Sequence, residues 1–235
     1  MDKIIIISLI IFTIVVVCII VMCKYNLFVM ENMDNINYDE LNYADDNDEY
    51  NYPFILNNLL APDYLEKIKE KSLNSLIDSM VVSGKIDSIR NSKQTWINKN
   101  DPLVKPIFEH LSKFFNIPFE NAEDLQIVRY LPNQYYKDHH DSCCDKVNEC
   151  NDFVKRGGQR ILTVLIYLND NFKGGETNFT NLNIKYKAKP GDAIVFYPLN
   201  KQGKYCHPKA LHAGLPVTQG EKWIANVWFR EREFK

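Results

Sequence analysis

His139-His140-Asp141 sets an imidazole and a carboxylate two residues apart. In an extended strand residues i and i+2 project to one face. His139 and Asp141 then point together and His140 points away. A neutral imidazole beside a carboxylate supplies two ligands for a divalent metal. A second imidazole from elsewhere completes the two-His-one-carboxylate set of non-haem Fe(II) oxygenases, with further positions left open. His212, in Leu211-His212-Ala213-Gly214, is the candidate. A His-x-Asp pair alone is a weak signal that arises by chance in many chains. His110, His140 and His207 are read as non-ligands.

Ten residues after His212 stands Lys222, at the head of the apolar run Trp223–Trp228. The plain reading is a solvated surface lysine. If Lys222 instead points inward with that strand, its ammonium needs an anionic partner. The distal carboxylate of 2-oxoglutarate would serve, through a charge-assisted hydrogen bond.

The elements that must position these groups fall into two textures. Ala61-Pro62-Asp63 opens a helix expected to run to about Val82, with Leu65, Ile68, Leu73, Leu76, Ile77 and Met80 near a 3–4 spacing and Gly84 as its stop. Asp101-Pro102 opens a second, with Leu103, Val104, Ile107, Phe108, Leu111, Phe114 and Phe115 inward and Ile117-Pro118 closing it. Then come expected strands at Leu125–Tyr130, Arg160–Leu168, Thr177–Thr180, Asn183–Ala188, Ala193–Tyr197 and Trp223–Arg230, punctuated by glycine and proline turns. Helices first and short strands later predict an α+β chain with a β-sandwich, jelly-roll core.

The chain has 235 residues and a formal net charge of −2. That balance gives no case for nucleic acid as a partner. Residues 25–50 carry eight acidic side chains and no basic one, whereas residues 51–235 carry 26 basic and 21 acidic ones. The acidic segment reads as a solvated stalk. Before it, Ile4–Cys23 is a run of twenty uncharged, mostly apolar residues. At 1.5 Å per residue it spans about 30 Å, the thickness of a bilayer's hydrocarbon core. It is too long for the apolar part of a cleaved signal, and Val21-Met22-Cys23-Lys24 is a poor cleavage site. One transmembrane anchor is therefore expected over 1–24, with the rest of the chain lumenal, in the endoplasmic reticulum or its equivalent. Lys3 and Lys24 balance across the span and do not set its orientation. Cys143, Cys144, Cys150 and Cys206 lie beyond it. They allow two disulfides in any of three connectivities, a zinc site without CxxC spacing, or free thiols.

With these residues in view, the chain resembles the prolyl 4-hydroxylase family of Fe(II)/2-oxoglutarate dioxygenases, including the single-domain forms of plants, algae and giant viruses. The likeness runs from about Leu125 to Arg230. Tyr130, Gln134, Tyr136, His139 and Asp141 match its Tyr…Gln-x-Tyr-x-x-His-x-Asp motif. Gly157-Gly158-Gln159-Arg160 and Thr163–Asn169 match the following strand. Gly174-Gly175-Glu176-Thr177-Asn178-Phe179, Lys189-Pro190-Gly191-Asp192-Ala193, Leu211–Gly214 and Lys222–Trp228 complete the order. The resemblance implies a double-stranded β-helix core over 125–235, with a helical part over 51–124. It implies Fe(II) on His139, Asp141 and His212, and 2-oxoglutarate on Lys222 with help from Tyr130 and Thr177. It places Arg160 and Trp228 at the peptide site, with O2 as cosubstrate and L-ascorbate as reductant.

The implied reaction is 4-hydroxylation of peptidyl proline, in collagen-like Xaa-Pro-Gly or proline-rich sequences. Related lysyl hydroxylases and nucleic-acid demethylases commonly carry arginine where Lys222 stands, so the lysine favours proline over lysine or a nucleobase. A non-catalytic, membrane-stalked jelly-roll binding module has no use for all three ligands and Lys222. Cys143–Phe153 is longer than the plant and algal pattern. No large peptide-binding domain is evident, so no obligatory partner subunit is expected. The sequon Asn178-Phe179-Thr180 is expected to carry no glycan.

Overall fold

The computed structural model describes residues 50–79, 90–144, 148–203 and 206–235. The anchor expected over 1–24 and the stalk up to residue 49 lie outside the described residues. Among those described, no helix is long and apolar enough to cross a membrane. In chain order the elements are β1 (Phe54–Leu56), α1 (Pro62–Ser72), β2 (Ile77–Asp78), β3 (Lys93–Ile97), α2 (Lys105–Phe115), β4 (Leu125–Tyr130), β5 (Tyr136–His139), α3 (Asn148–Lys155), β6 (Arg160–Tyr167), β7 (Lys173–Gly174), β8 (Thr177–Phe179), β9 (Ile184–Tyr186), β10 (Ala193–Phe196), β11 (His212–Gly214), β12 (Val217–Gln219) and β13 (Lys222–Arg230).

Pro62 pre-sets the backbone of the first turn of α1. That helix is shorter than the apolar spacing predicts. Ser72 Oγ donates back to the Ile68 carbonyl at 2.7 Å, and Ser75 Oγ to the Ser72 carbonyl at 3.1 Å. Such local bonds compete with helix propagation. A 3-10 turn, Leu73–Ser75, follows, and β-branched Ile77 leaves it to pair with Gln94 in β3. Asp101 does not open α2 itself. It caps a preceding turn by accepting the Leu103 N–H at 3.0 Å. Asn116, at φ 53°, ends α2 in the left-handed conformation, and the Ile117 N–H reaches the Ser112 carbonyl at 3.0 Å.

All pairings are antiparallel. Seven strands form one sheet in the order β1-β10-β6-β13-β4-β3-β2, four form a second in the order β5-β11-β8-β9, and β12 pairs with β7. The central strand β13 is buried along its whole length. Its alternation explains why. Trp223, Ala225, Val227 and Phe229 join Leu162, Val164 and Ile166 of β6 in a core with Ile68 of α1 and Phe108 and Leu111 of α2. Lys222, Ile224, Asn226, Trp228 and Arg230 face the other way. There Ile224, Val128, Leu165 and Tyr167 pack with Phe179 of β8 and Phe196 of β10 in a second core between the sheets. A strand covered on both faces reads as a continuous apolar run. The result is a sheet-rich core with few helices, consistent with a jelly roll.

Candidate active site

The two sheets bring the separated ligand candidates together. His139 ends β5 and His212 begins β11, and the two are direct cross-strand partners. Asp141 follows two residues beyond β5. One ligand atom from each of the three lies within 4.8 Å of the others. His139 Nδ1 donates to the Lys137 carbonyl at 2.8 Å and His212 Nδ1 to the Ala210 carbonyl at 3.0 Å. Those bonds set the tautomer and leave each Nε2 with its lone pair inward. Asp141 Oδ1 lies 3.9 Å from both Nε2 atoms. Its other oxygen, Oδ2, accepts from Thr163 Oγ1 at 2.7 Å and Trp228 Nε1 at 3.0 Å. Tyr136 stacks on His139 at 3.5 Å between ring centroids and fixes the ring plane.

Protonation suits the same purpose. Burial, together with the neighbouring His212, holds His139 well below its usual value, so its imidazole is neutral. Burial alone would raise Asp141. Its interactions with the His212 and His139 rings and the Arg160 guanidinium, together with the Trp228 hydrogen bond, outweigh it and pull its carboxyl down to about 2. Two imidazoles and one carboxylate, each oriented by its own hydrogen bonds, fit a divalent iron ion and leave coordination positions open.

Lys222 begins β13 opposite Tyr130 of β4 and is 2% exposed. Its Nζ donates to the Gly175 carbonyl at 2.7 Å, 5.1 Å from the Tyr167 ring centroid and 5.5 Å from that of Tyr130. Gly175 has φ +68°, and a Cβ there would sit 3.3 Å from Lys222 Cδ and 3.0 Å from Val217 Cγ2. Gly175 thus leaves room for the lysine stem beside Val217 and Phe172. Burial pushes the Lys222 ammonium down to about 7, with Glu176 opposing and Lys187 adding to the fall. Thr177 Oγ1 lies 2.9 Å from the Tyr167 hydroxyl, which itself donates to the Tyr186 carbonyl at 3.1 Å. The Tyr130 hydroxyl is bonded by Ser92 and Arg90.

Arg160 and Trp228 lie on the other side of the triad. Arg160 is clamped by Glu123 through Nε at 2.6 Å and Nη2 at 2.8 Å, and Glu123 also takes Arg230 Nε at 2.7 Å. Burial would raise the Glu123 carboxyl, but the two guanidinium groups keep it below the usual range. The Arg160 guanidinium lies 3.6 Å over the Trp228 ring. One cavity of about 610 Å³ is lined by all eight site residues expected from the sequence: Tyr130, His139, Asp141, Arg160, Thr177, His212, Lys222 and Trp228. Sequence reading missed the role of Thr163 as a donor to Asp141, of Tyr167 beside Lys222, and of Glu123. The spacing of Thr163 and Tyr167 puts them on one face of a strand but does not say what either meets. Glu123 carried no such signal. The four thiols form two disulfides, Cys143–Cys150 and Cys144–Cys206.

Fold and site together define an Fe(II)/2-oxoglutarate dioxygenase: residues 125–230 match the family model described as the 2OG-Fe(II) oxygenase superfamily. Within it the chain belongs to the prolyl 4-hydroxylases. It is 61% identical over 196 residues to a protein of Acanthamoeba polyphaga mimivirus named as a prolyl 4-hydroxylase, covering 83% of this chain and 81% of that one. Prolyl 4-hydroxylase 1 of Arabidopsis thaliana is 32% identical over 199 residues, covering 76% and 68% of the two chains. The viral collagen prolyl hydroxylase of Paramecium bursaria Chlorella virus-1, solved with 2-oxoglutarate, superposes with a TM-score of 0.59 at 30% identity, covering 75% of this chain and 94% of that one.

Proposed function

We propose that this chain 4-hydroxylates proline in collagen-like or proline-rich peptides, with O2 and 2-oxoglutarate consumed and succinate and CO2 released. The observation that carries the reading is one cavity shared by the three-ligand group and a buried lysine, in a chain of this family. Iron bound with 2-oxoglutarate supplies the oxidant for an unactivated C–H bond. His139, Asp141 and His212 would hold that iron, with the two Nε2 atoms and Asp141 Oδ1 already facing one another. Lys222 takes the far carboxylate of 2-oxoglutarate, with the Tyr130 and Thr177 hydroxyls beside it. Such a carboxylate stabilises the ammonium form that burial disfavours. Arg160 and Trp228 form a wall that positions the peptide against the reacting centre. L-Ascorbate would serve as the reductant that keeps such an iron in the divalent state. The double-stranded β-helix core is tethered by the N-terminal anchor and acidic stalk, with the catalytic part lumenal and no partner subunit required.

The test is succinate release by the purified full chain with Fe(II), ascorbate and 2-oxoglutarate, with and without (Pro-Pro-Gly)n and polyproline peptides. Peptide-stimulated succinate, with one oxygen gained on proline by mass, is the expected result. Turnover indifferent to both peptides, or oxygen placed on lysine or a nucleobase, would overturn the substrate. No turnover and no bound iron would overturn the chemistry.

A further inference from the structure

Within the Cys143–Phe153 segment, the described residues from Asn148 onward belong to α3. Its place is fixed covalently, because Cys150 of α3 is joined to Cys143, two residues past Asp141. Three residues beyond Cys150 stands Phe153, 8% exposed. Its ring centroid lies 4.1 Å from the Arg230 guanidinium and 5.4 Å from that of Arg160. Arg230 Nη1 also donates to the Phe153 carbonyl at 2.8 Å. Beyond Arg160 comes Trp228 at 3.6 Å, and beyond Trp228 the 3.0 Å bond to Asp141 Oδ2. Ring, cation and ring thus run in contact from the tethered helix to a metal ligand. Phe153, Arg160, Arg230 and Trp228 all line the cavity. Glu123 holds the Arg160 guanidinium only along its edge. The Trp228 ring at 3.6 Å and the Phe153 ring at 5.4 Å add cation–π contact to that hold.

We propose that Phe153 is a positioning residue for peptide hydroxylation: carried by the disulfide-held α3, it fixes Arg160 and through it Trp228, and so keeps the peptide-side wall of the cavity rigid. This rests on the peptide-hydroxylase reading above. The Cys143–Cys150 bridge spans seven residues and Cys144–Cys206 spans 62. The shorter loop removes less entropy from the unfolded chain, so the first bridge acts mainly on the placing of α3.

The test compares Phe153→Ala, Phe153→Tyr and the double variant Cys143→Ser/Cys150→Ser in the full chain, with (Pro-Pro-Gly)n as probe. Succinate and hydroxyproline are measured in the same reactions. Phe153→Ala is expected to raise the peptide KM by about tenfold and to raise succinate formed per hydroxyproline, while the KM for 2-oxoglutarate stays within about twofold. Phe153→Tyr keeps the ring and is expected to restore both readings. The double serine variant moves them in the same direction as Phe153→Ala, with its peptide-independent succinate release unchanged. In metal-free protein the indole N–H resonance of Trp228, assigned with Trp228→Phe, is expected to shift in Phe153→Ala and return in Phe153→Tyr. An unchanged peptide KM and coupling ratio, an unmoved resonance, or an equal rise in the KM for 2-oxoglutarate would overturn the proposal. Wild-type chain that turns over 2-oxoglutarate yet ignores the peptide would overturn the substrate reading instead.

Discussion

Asp141 Oδ2 spends its lone pairs on Thr163 and Trp228, and this leaves Oδ1 to face the two imidazoles. Trp228→Phe or Thr163→Val removes one donor without touching a ligand. Either is expected to weaken iron binding by about 10–100-fold, read as the Fe(II) concentration for half-maximal turnover; unaltered iron demand would detach these residues from the ligand. At the opposite end, Lys222 titrates at about 7 before it meets an anion. Its charged form binds the carboxylate, so binding takes up a proton once the pH is above that value. The KM for 2-oxoglutarate is expected to rise as pH goes from about 7 to 8.5. Lys222→Arg keeps its charge throughout this range, and is expected to flatten that rise even if its absolute KM is poorer. A KM equally pH-dependent in both proteins would reject the lysine as the titrating group. The ligands and Lys222 were legible as residue types at informative spacings. The donors to Asp141 were not, because Thr163 and Trp228 reach it from β6 and β13, 22 and 87 residues away.

Strands were easier to read than helix ends. The sequence reading matches β4 in full, and β6, β10 and β13 to within a residue, because apolar runs bounded by glycine and proline turns leave little choice. The first helix was read too long, since Leu73, Leu76 and Ile77 keep a helical spacing while Ser72 and Ser75 bond back to the chain. His139–Asp141 reads as extended, but β5 ends at His139 and Asp141 lies beyond it, while β11 has no place among the expected strands; three or four residues show no period of their own. The disulfide pairing could not be chosen from spacing alone. Cys144–Cys206 joins the segment just after Asp141 to the one leading to His212. Cys144→Ser/Cys206→Ser is expected to cost about 2–5 kcal/mol of stability by urea unfolding, and to weaken iron binding because both ligand segments loosen. A variant with wild-type stability would show that the sheets alone set the spacing of β5 and β11.

At the scale of the molecule, one sheet does two jobs. The outer face of the seven-stranded sheet buries Leu162, Val164, Val227 and Phe229 against α1 and α2, while its inner face holds the charged groups in the cavity. Such an interior tolerates ions only where they are partnered. Glu123 serves both Arg160 and Arg230, and Glu123→Ala takes the carboxylate from the buried Arg230 and the largely buried Arg160. That change is expected to destabilise the chain by about 3–5 kcal/mol, measured by urea unfolding; a loss under about 1 kcal/mol, the usual size for an exposed pair, would show that solvent reaches the cluster. The apolar layers and the ligand set were visible in the linear pattern. This ion cluster was not, because Glu123, Arg160 and Arg230 meet only when the sheet closes. The most direct test of the whole is a reaction of the full chain with isotopically labelled O2, 2-oxoglutarate and (Pro-Pro-Gly)n, followed by mass analysis of both products. One labelled atom in hydroxyproline and one in succinate is the expected result. Hydroxyproline without label, or labelled succinate with the peptide left unmodified, would contradict a dioxygenase that couples the two substrates at His139, Asp141 and His212.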